Sequence, residues 1–310
     1  MGLIAHVYKK QFVCRQDREV GVPFYTVSDF EGLKEESFAF VNSKNIEIKY
    51  YYFYYDNYKE DKIVLFLHGL APGHAAYFAE INTLAKRGYK VLTLDYTGCG
   101  ESQGKLLGSI FTSTKDVNEL LDYLKIEKPI VLVGHSMGGF TALNTINLRK
   151  EMKKAVIISG FLNPLSIFNA QIKNNFIVSH ILKYEKKMYP DYFNNINNIE
   201  YLKTTEDDLF FIHSDTDTMV PYESSMKVVE QIDNPHIKTL LIPNRKHNPN
   251  YTDEAVDYMN TAFGTFYYLI QEKKIKTDQD KIDYFKDISL PKMVEQDEEL
   301  FDKIIEFIEK

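Results

Sequence analysis

Six short, uninterrupted apolar runs constrain this chain more than any other feature. Residues 62–68 (KIVLFLH), 89–95 (YKVLTLD), 129–135 (PIVLVGH), 155–159 (AVIIS), 209–213 (LFFIH) and 237–242 (IKTLLI) are strand-length and rich in β-branched residues. A strand with one wet face alternates apolar and polar residues, whereas a continuous run calls for burial on both faces. That predicts a mostly parallel sheet covered on both sides by helices. Parallel neighbours need long crossovers, and residues 75–87, 112–125, 137–150 and 222–232 carry apolar positions at helical spacing. Pro221 suits the first turn of the last of these. The fold class is α/β.

Outside these elements the chain divides by pattern. Residues 37–41 and 46–55 read as a hairpin joined by Asn42-Ser43-Lys44-Asn45, an antiparallel edge of a kind common on parallel sheets. Residues 1–36 read as an N-terminal extension. Residues 37–160 and 209–310 form the core, interrupted by a helical insertion over 161–208 that holds Leu165, Phe168, Ile172, Phe176, Ile181 and Leu182. The Asn-rich stretch 194–198 reads as loop. Phe301, Ile304, Ile305 and Ile308 fall at i, i+3, i+4 and i+7, so an amphipathic helix closes the chain.

Composition removes several function classes. The 310 residues carry 37 Lys+Arg against 44 Asp+Glu, a net charge of −7, so there is no basic excess for nucleic acid. With 44% hydrophobic and 26% charged residues, 15 Gly and 10 Pro, the chain is globular rather than disordered or collagen-like. Cys14 and Cys99 make neither a disulfide framework nor a zinc site, which suggests free thiols in a reducing compartment. At the N-terminus the apolar run Leu3 to Ala5 is cut by His6, too short for a signal-peptide core, and His6 stands where myristoylation wants Ser or Thr. No apolar stretch nears the roughly 20 residues of a membrane span. The expectation is a cytoplasmic protein without stable membrane insertion; nothing in the sequence specifies an oligomeric state.

The chemistry sits at Gly134-His135-Ser136-Met137-Gly138-Gly139, which follows the strand PIVLV and precedes a helical run. A serine on a sharp strand-to-helix turn needs small neighbours two residues before and after it, and Gly134 and Gly138 supply them. The turn lifts Ser136 clear of the sheet at a helix N-terminus, where negative charge is favoured. These residues resemble the α/β-hydrolase superfamily over roughly residues 37–265. His68-Gly69 resembles its oxyanion-hole loop, which implies the Leu70 and Met137 amides as oxyanion donors. Asp95-Tyr96-Thr97-Gly98-Cys99-Gly100-Glu101-Ser102 matches its D-x-x-G-x-G-x-S turn, a structural element. Residues 213–221 resemble its acid loop H-G-x-x-D-x-x-V-P with Ser214 in place of glycine; the carboxylate aligns with Asp217, and Asp215 is the alternative.

The base follows from position. Reactive groups gather at the carboxyl ends of parallel strands; His236 precedes the last strand, whereas His247 follows it. His247 is the candidate base. The order Ser136, Asp217, His247 is the order of this fold. His135 and His213 read as packing residues, while His74, near the oxyanion loop, and Phe168 and Phe176, in the insertion, are candidate substrate contacts. Competing motifs fail. Gly98, Gly100 and Gly104 have the wrong spacing for a dinucleotide loop, Leu106 stands where a P-loop needs Ser or Thr, and no metal-ligand pattern exists. A serine nucleophile also argues against dehalogenase and epoxide hydrolase relatives. The sequence thus points to a cofactor-independent, metal-free serine hydrolase, a carboxylesterase for small to medium acyl esters with 161–208 as lid over an apolar acyl pocket. Monoacylglycerol or lysophospholipid lipase, thioesterase, serine aminopeptidase and a non-catalytic binding protein on the same scaffold are the alternatives.

Overall fold

Strands β1 (Lys34–Val41), β2 (Glu47–Tyr54), β3 (Ile63–Leu67), β4 (Lys90–Leu94), β5 (Ile130–His135), β6 (Lys154–Ile158), β7 (Asp208–Ser214) and β8 (Ile237–Ile242) form one sheet. The computed structural model describes residues 2–310; Met1, the first residue of the expected extension, lies outside the described residues. The strand order is β1-β2-β4-β3-β5-β6-β7-β8. β1 and β2 are antiparallel to each other, β2 is antiparallel to β4, and all other neighbours are parallel. The hairpin turn is held by its own asparagine: Asn42 Oδ1 accepts from the Lys44 and Ile46 amides, and Asn45 takes φ 57°.

The uninterrupted apolar runs are explained by two cores. Successive side chains of a strand point to opposite faces, so Leu65, Leu67 and Leu132 enter one core while Val64, Phe66, Val131 and Val133 enter the other. The helices in chain order are α1 (Gly2–Gln11), α2 (Phe78–Lys86), α3 (Thr112–Leu124), α4 (Met137–Leu148), α5 (Pro164–Gln171), α6 (Asn175–Met188), α7 (Pro190–Asn195), α8 (Asn198–Thr204), α9 (Met226–Val229), α10 (Asp253–Gln271), α11 (Asp278–Phe285), α12 (Leu290–Met293) and α13 (Glu298–Glu309). α3 and α4 pack on the first face; α2 and α13 close the second with Ile81, Leu84, Phe301, Ile304 and Ile308. The C-terminal amphipathic helix is thus an integral cover of the sheet.

Helices α5–α8 lie between β6 and β7. Asn163, Asn174 and Asn197 cap α5, α6 and α8, each accepting a backbone N–H three residues on. This changes the expected loop at 194–198, because asparagine caps favour new helices as readily as turns. Only residues 196 and 197 separate α7 from α8, and buried Asn198 bridges Asn144 Oδ1 and the Leu162 carbonyl at 2.8 Å each. The helix expected over 222–232 shrinks to a turn and the four residues of α9, since Ser225 leaves helical geometry at φ −135° and donates to the Gly160 carbonyl. β8 was expected to be covered on both faces; it is the last strand of the sheet and is partly exposed.

Both ends of the chain grip the core. In α1, buried Tyr8 donates to Glu185 Oε1 of α6 at 2.7 Å. After α12, residues 294–297 run back against the segment that leads into α10: Thr252 N–H donates to the Glu295 carbonyl at 3.0 Å and Asp297 N–H to the Asn250 carbonyl at 2.8 Å. Asn250 Nδ2 then reaches both Gln296 Oε1 (3.0 Å) and Glu80 Oε1 (3.1 Å) of α2. Glu80 is 2% exposed, and burial pushes its carboxyl up to about 7.

A carboxyl raised in the folded state keeps its proton where the unfolded chain has lost it. Its contribution is therefore full below the ordinary glutamate value and lost as pH rises through about 7. At roughly 1.4 kcal/mol per pKa unit, this amounts to on the order of 3 kcal/mol. Urea unfolding of wild type and Glu80→Gln across pH 4.5–8 should show the variant gaining on wild type by about that amount toward pH 8. Parallel curves would refute the assignment.

Candidate active site

The turn at Ser136 is built by close approach of backbones. β5 ends at His135 and α4 begins at Met137, so Ser136 alone makes the turn, at φ 57° and ψ −119°. Such a conformation costs a residue with a Cβ on the order of 1–3 kcal/mol and persists only where the surroundings enforce it. Here the Ser136 amide donates to the Ile158 carbonyl at 2.8 Å and its carbonyl accepts from Phe140 at 3.1 Å. A methyl on Gly134 would strike the Gly138 carbonyl, and one on Gly138 the Leu67 carbonyl. Glycine at both positions is a steric requirement. The serine side chain stays partly exposed at the N-terminus of the 12-residue α4.

His247 lies in the loop after β8. Its Nδ1–H donates to Asp217 Oδ2 at 2.8 Å. Burial alone would raise the Asp217 carboxyl, but the hydrogen bond and charge of His247, with the Val220 amide, hold it below the usual carboxylate range. The Met219 and Val220 amides donate to Oδ1 at 2.8 and 2.9 Å, so both carboxylate oxygens are engaged. Exposed Asp215 turns away, accepting from the Asn244 amide at 2.8 Å. The missing glycine in this loop has an evident use: Ser214 Oγ accepts from the Arg245 amide at 3.0 Å and ties the acid loop to the histidine loop. No hydrogen bond links Ser136 Oγ to His247 among the described residues.

His135 does more than pack. Its Nε2–H donates to the His247 carbonyl at 2.8 Å, while Nδ1 accepts from the Tyr77 hydroxyl at 2.9 Å. Burial, then the neighbouring His247, pushes its pKa down to about 3, so the ring is neutral in this role. The position beside Ser136 was the only sequence signal for it, and nothing in the sequence marked Tyr77. His213 Nε2–H donates to the Val220 carbonyl at 2.8 Å and shapes the acid loop from beneath.

His68 immediately follows β3. Burial lowers it to about 4, so Nδ1–H donates to the Gly69 carbonyl at 2.8 Å while the ring stacks on Tyr96 at 3.9 Å. A methyl on Gly69 would press on Ser136 Cβ and the Tyr77 hydroxyl, which puts Leu70 one peptide from the serine. No hydrogen bond links His74 to Ser136 among the described residues. The His74 amide and Nδ1 both bind Asp95 Oδ1, at 2.7 and 2.9 Å, and its ring packs against Tyr51 at 4.0 Å and beside Phe53 at 5.8 Å. Phe168 is buried against Tyr8, and Phe176 is 66% exposed on α6. Neither lines the cavity of about 270 Å³ between insertion and core, whose walls are Phe111, Phe140, Leu162, Leu182 and Phe193. The helical pattern of the insertion shows which residues are apolar, not which way its helices turn. Among the described residues no cluster of His, Cys, Asp or Glu could hold a metal ion, and no helix is long and apolar enough to cross a membrane.

The profile of a family described as alpha/beta hydrolase fold matches residues 62–182. A 2-hydroxy-6-oxononadienedioate/2-hydroxy-6-oxononatrienedioate hydrolase of Escherichia coli is 34% identical over 117 residues, 35% of this chain and 39% of that protein. An epoxide hydrolase of Caballeronia sordidicola is 36% identical over 96 residues, 30% of this chain and 29% of that protein. The chain thus spans well under half the length of these curated relatives. Among solved structures, an esterase of Pyrococcus furiosus superposes with TM-score 0.56 at 23% identity, covering 84% of this chain and 96% of its own. Mouse alpha/beta hydrolase domain-containing protein 10 superposes with TM-score 0.53 at 20% identity, covering 77% and 99%. The matched segment spans β3 to β5 and the serine turn, and these solved structures share the architecture, so the chain has the α/β-hydrolase fold.

Proposed function

We propose that the protein is a serine carboxylesterase acting on small to medium acyl esters, with Ser136 as nucleophile, His247 as base and Asp217 as the acid that orients it. The 2.8 Å bond from His247 Nδ1 to Asp217 carries this reading, because it leaves Nε2 free to accept a proton. Ser136 Oγ attacks the ester carbonyl carbon as its proton passes to His247 Nε2. The carbonyl becomes an oxyanion, stabilised by the Leu70 and Met137 amides, neither of which donates to a protein acceptor among the described residues. Collapse expels the alcohol, which takes the proton from His247. Water, deprotonated by the same ring, then releases the acid. A hydrogen bond between nucleophile and base is often long before substrate arrives, so its absence does not weigh against these roles.

The nucleophile also bears on the choice among relatives. Serine attack on an epoxide would leave an ether that water does not cleave, whereas a serine ester is hydrolysable; Ser136 therefore favours acyl transfer. The insertion carrying α5–α8 is read as a lid, and residues 1–36, the interrupted core and 161–208 as the corresponding units.

Ser136→Ala should abolish both ester hydrolysis and fluorophosphonate labelling, with a loss in kcat on the order of 10⁶ and an unchanged melting curve. Persistent labelling would move the nucleophile elsewhere. Asp217→Asn should lower kcat on the order of 10⁴-fold, since an amide neither stabilises the imidazolium nor holds the right tautomer. Asp215→Asn should stay within a few-fold of wild type; steady-state kinetics on a chromogenic ester reads both, and the reverse ranking would reassign the acid.

A further inference from the structure

A cavity of about 360 Å³ opens beside Leu70, with walls from residues 16–25, 70–79 and 251–294. Only the middle segment lies within the family match at 62–182. The two ends of the chain, which the catalytic machinery does not use, supply most of the wall. The lining is mainly apolar, with Phe24, Leu70, Met259, Phe263 and Met293 among its residues. It contains no Lys, Arg or His; its charged residues are Asp17 and Glu19, both exposed.

The cavity is held open by bonds that need no ligand. The Arg15 guanidinium donates to the carbonyls of Gly100, Ser102 and Gly104 at 2.7, 3.0 and 2.8 Å, and the Gln16 amide donates to the Gly98 carbonyl at 2.8 Å. Further along, Glu19 pairs with Lys281 at 2.5 Å, and Gly21, at φ 84°, lies so close to the Ile282 backbone that a Cβ would not fit. The opposite wall is fixed by the pairing of residues 250–252 with 295–297. Pre-organised walls lower the ordering cost of binding.

Two of the lining residues, Leu70 and Tyr251, neighbour the proposed site along the chain. Leu70 is one peptide from Gly69, which packs on Ser136, and Tyr251 follows His247 by four residues. A cavity of about 150 Å³ holds a benzene ring, so this one has room for a ring or branched chain of more than twice that volume. The lining offers a carboxylate-bearing group no free cation, because Asp17 and Glu19 already pair with Arg15 and Lys281, which disfavours it.

We propose that this cavity receives an uncharged apolar arm of the ester, and that the terminal extensions, rather than the 161–208 insertion, set the length of arm accepted. The proposal rests on the esterase reading of Ser136. The two sources of such an arm, acyl chain and alcohol, are separated by two substrate series: nitrophenyl esters of increasing acyl length, and acetates of increasingly long alcohols.

In whichever series occupies the cavity, kcat/KM should climb about fourfold per methylene until the space is filled. Ala79→Phe fills the cavity from α2 and should lower the octanoate-to-acetate (or octyl-to-methyl) ratio by about tenfold or more. Tyr267→Ala opens a wall where the side chain is 63% exposed, so folding is safe, and should move the break to longer arms. A break that moves with Leu182→Ala in the insertion and with neither cavity variant overturns the proposal, as does a preference for carboxylate-bearing arms. Fluorophosphonate labelling of Ser136 is read in parallel. If wild type neither labels nor turns over any ester, the esterase reading fails by itself, and binding of the neutral dye Nile red then tests the cavity directly. Binding weakened by Ala79→Phe supports an apolar site; no binding to wild type refutes it.

Discussion

The site depends on how closely the backbone of α4 can approach β3 and β5. Gly134 and Gly138 leave no room for a methyl group, and a Cβ on Gly139 would come within 2.9 Å of Gly160 Cα. This proximity lets the Ser136 amide reach the Ile158 carbonyl and holds the serine at φ 57°. The strain at one residue is offset by the two packed cores, which fix β5 and α4 on either side of it. A larger side chain at either flanking glycine would separate strand from helix, and the hydroxyl would lose its place at the helix N-terminus.

A second constraint acts on the histidine loop, which leaves the last strand of the sheet and has little of the sheet to lean on. It is tied instead from three directions. Asp217 accepts from the ring, His135 donates to the His247 carbonyl, and Ser214 Oγ accepts from the Arg245 amide. Arg245 itself pairs with Asp253 at 2.6 Å and Asp297 at 3.1 Å, bringing in the far end of the chain. Because burial keeps His135 uncharged, with a pKa of about 3, its donor and acceptor roles do not switch near neutral pH. The His247 main chain is therefore held in one place, with its ring oriented by Asp217.

The same far-end segment accounts for the length of chain beyond His247. Residues 294–297 brace residues 250–252, α13 closes one face of the sheet, and α11 meets the N-terminal extension at Gly21 and Glu19. Stability and pocket shape are thus drawn from one set of contacts.

What the sequence determined by itself was local or periodic. Five of the six apolar runs became strands buried on both faces of a parallel sheet, as uninterrupted β-branched residues call for, while the sixth became the partly exposed edge strand β8. The glycines around Ser136 marked the strand-to-helix turn, because a tight turn excludes side chains whatever surrounds it. His247 was separable from His236 by which end of a strand each occupies. Tertiary structure alone decided the rest, for reasons of direction. Asp215 and Asp217 differ by two residues in one loop, and only the folded loop turns one to His247 and the other to Asn244. His74 lay near the oxyanion loop in sequence, yet Asp95, 21 residues away, claims its ring. Phe168 and Phe176 had the right character for a pocket, but helix rotation sent one into the core and the other to solvent. The terminal segments carried no motif, because a cavity wall is defined by what lies across from it, and residues 16–25 and 251–294 become neighbours only when the chain has folded.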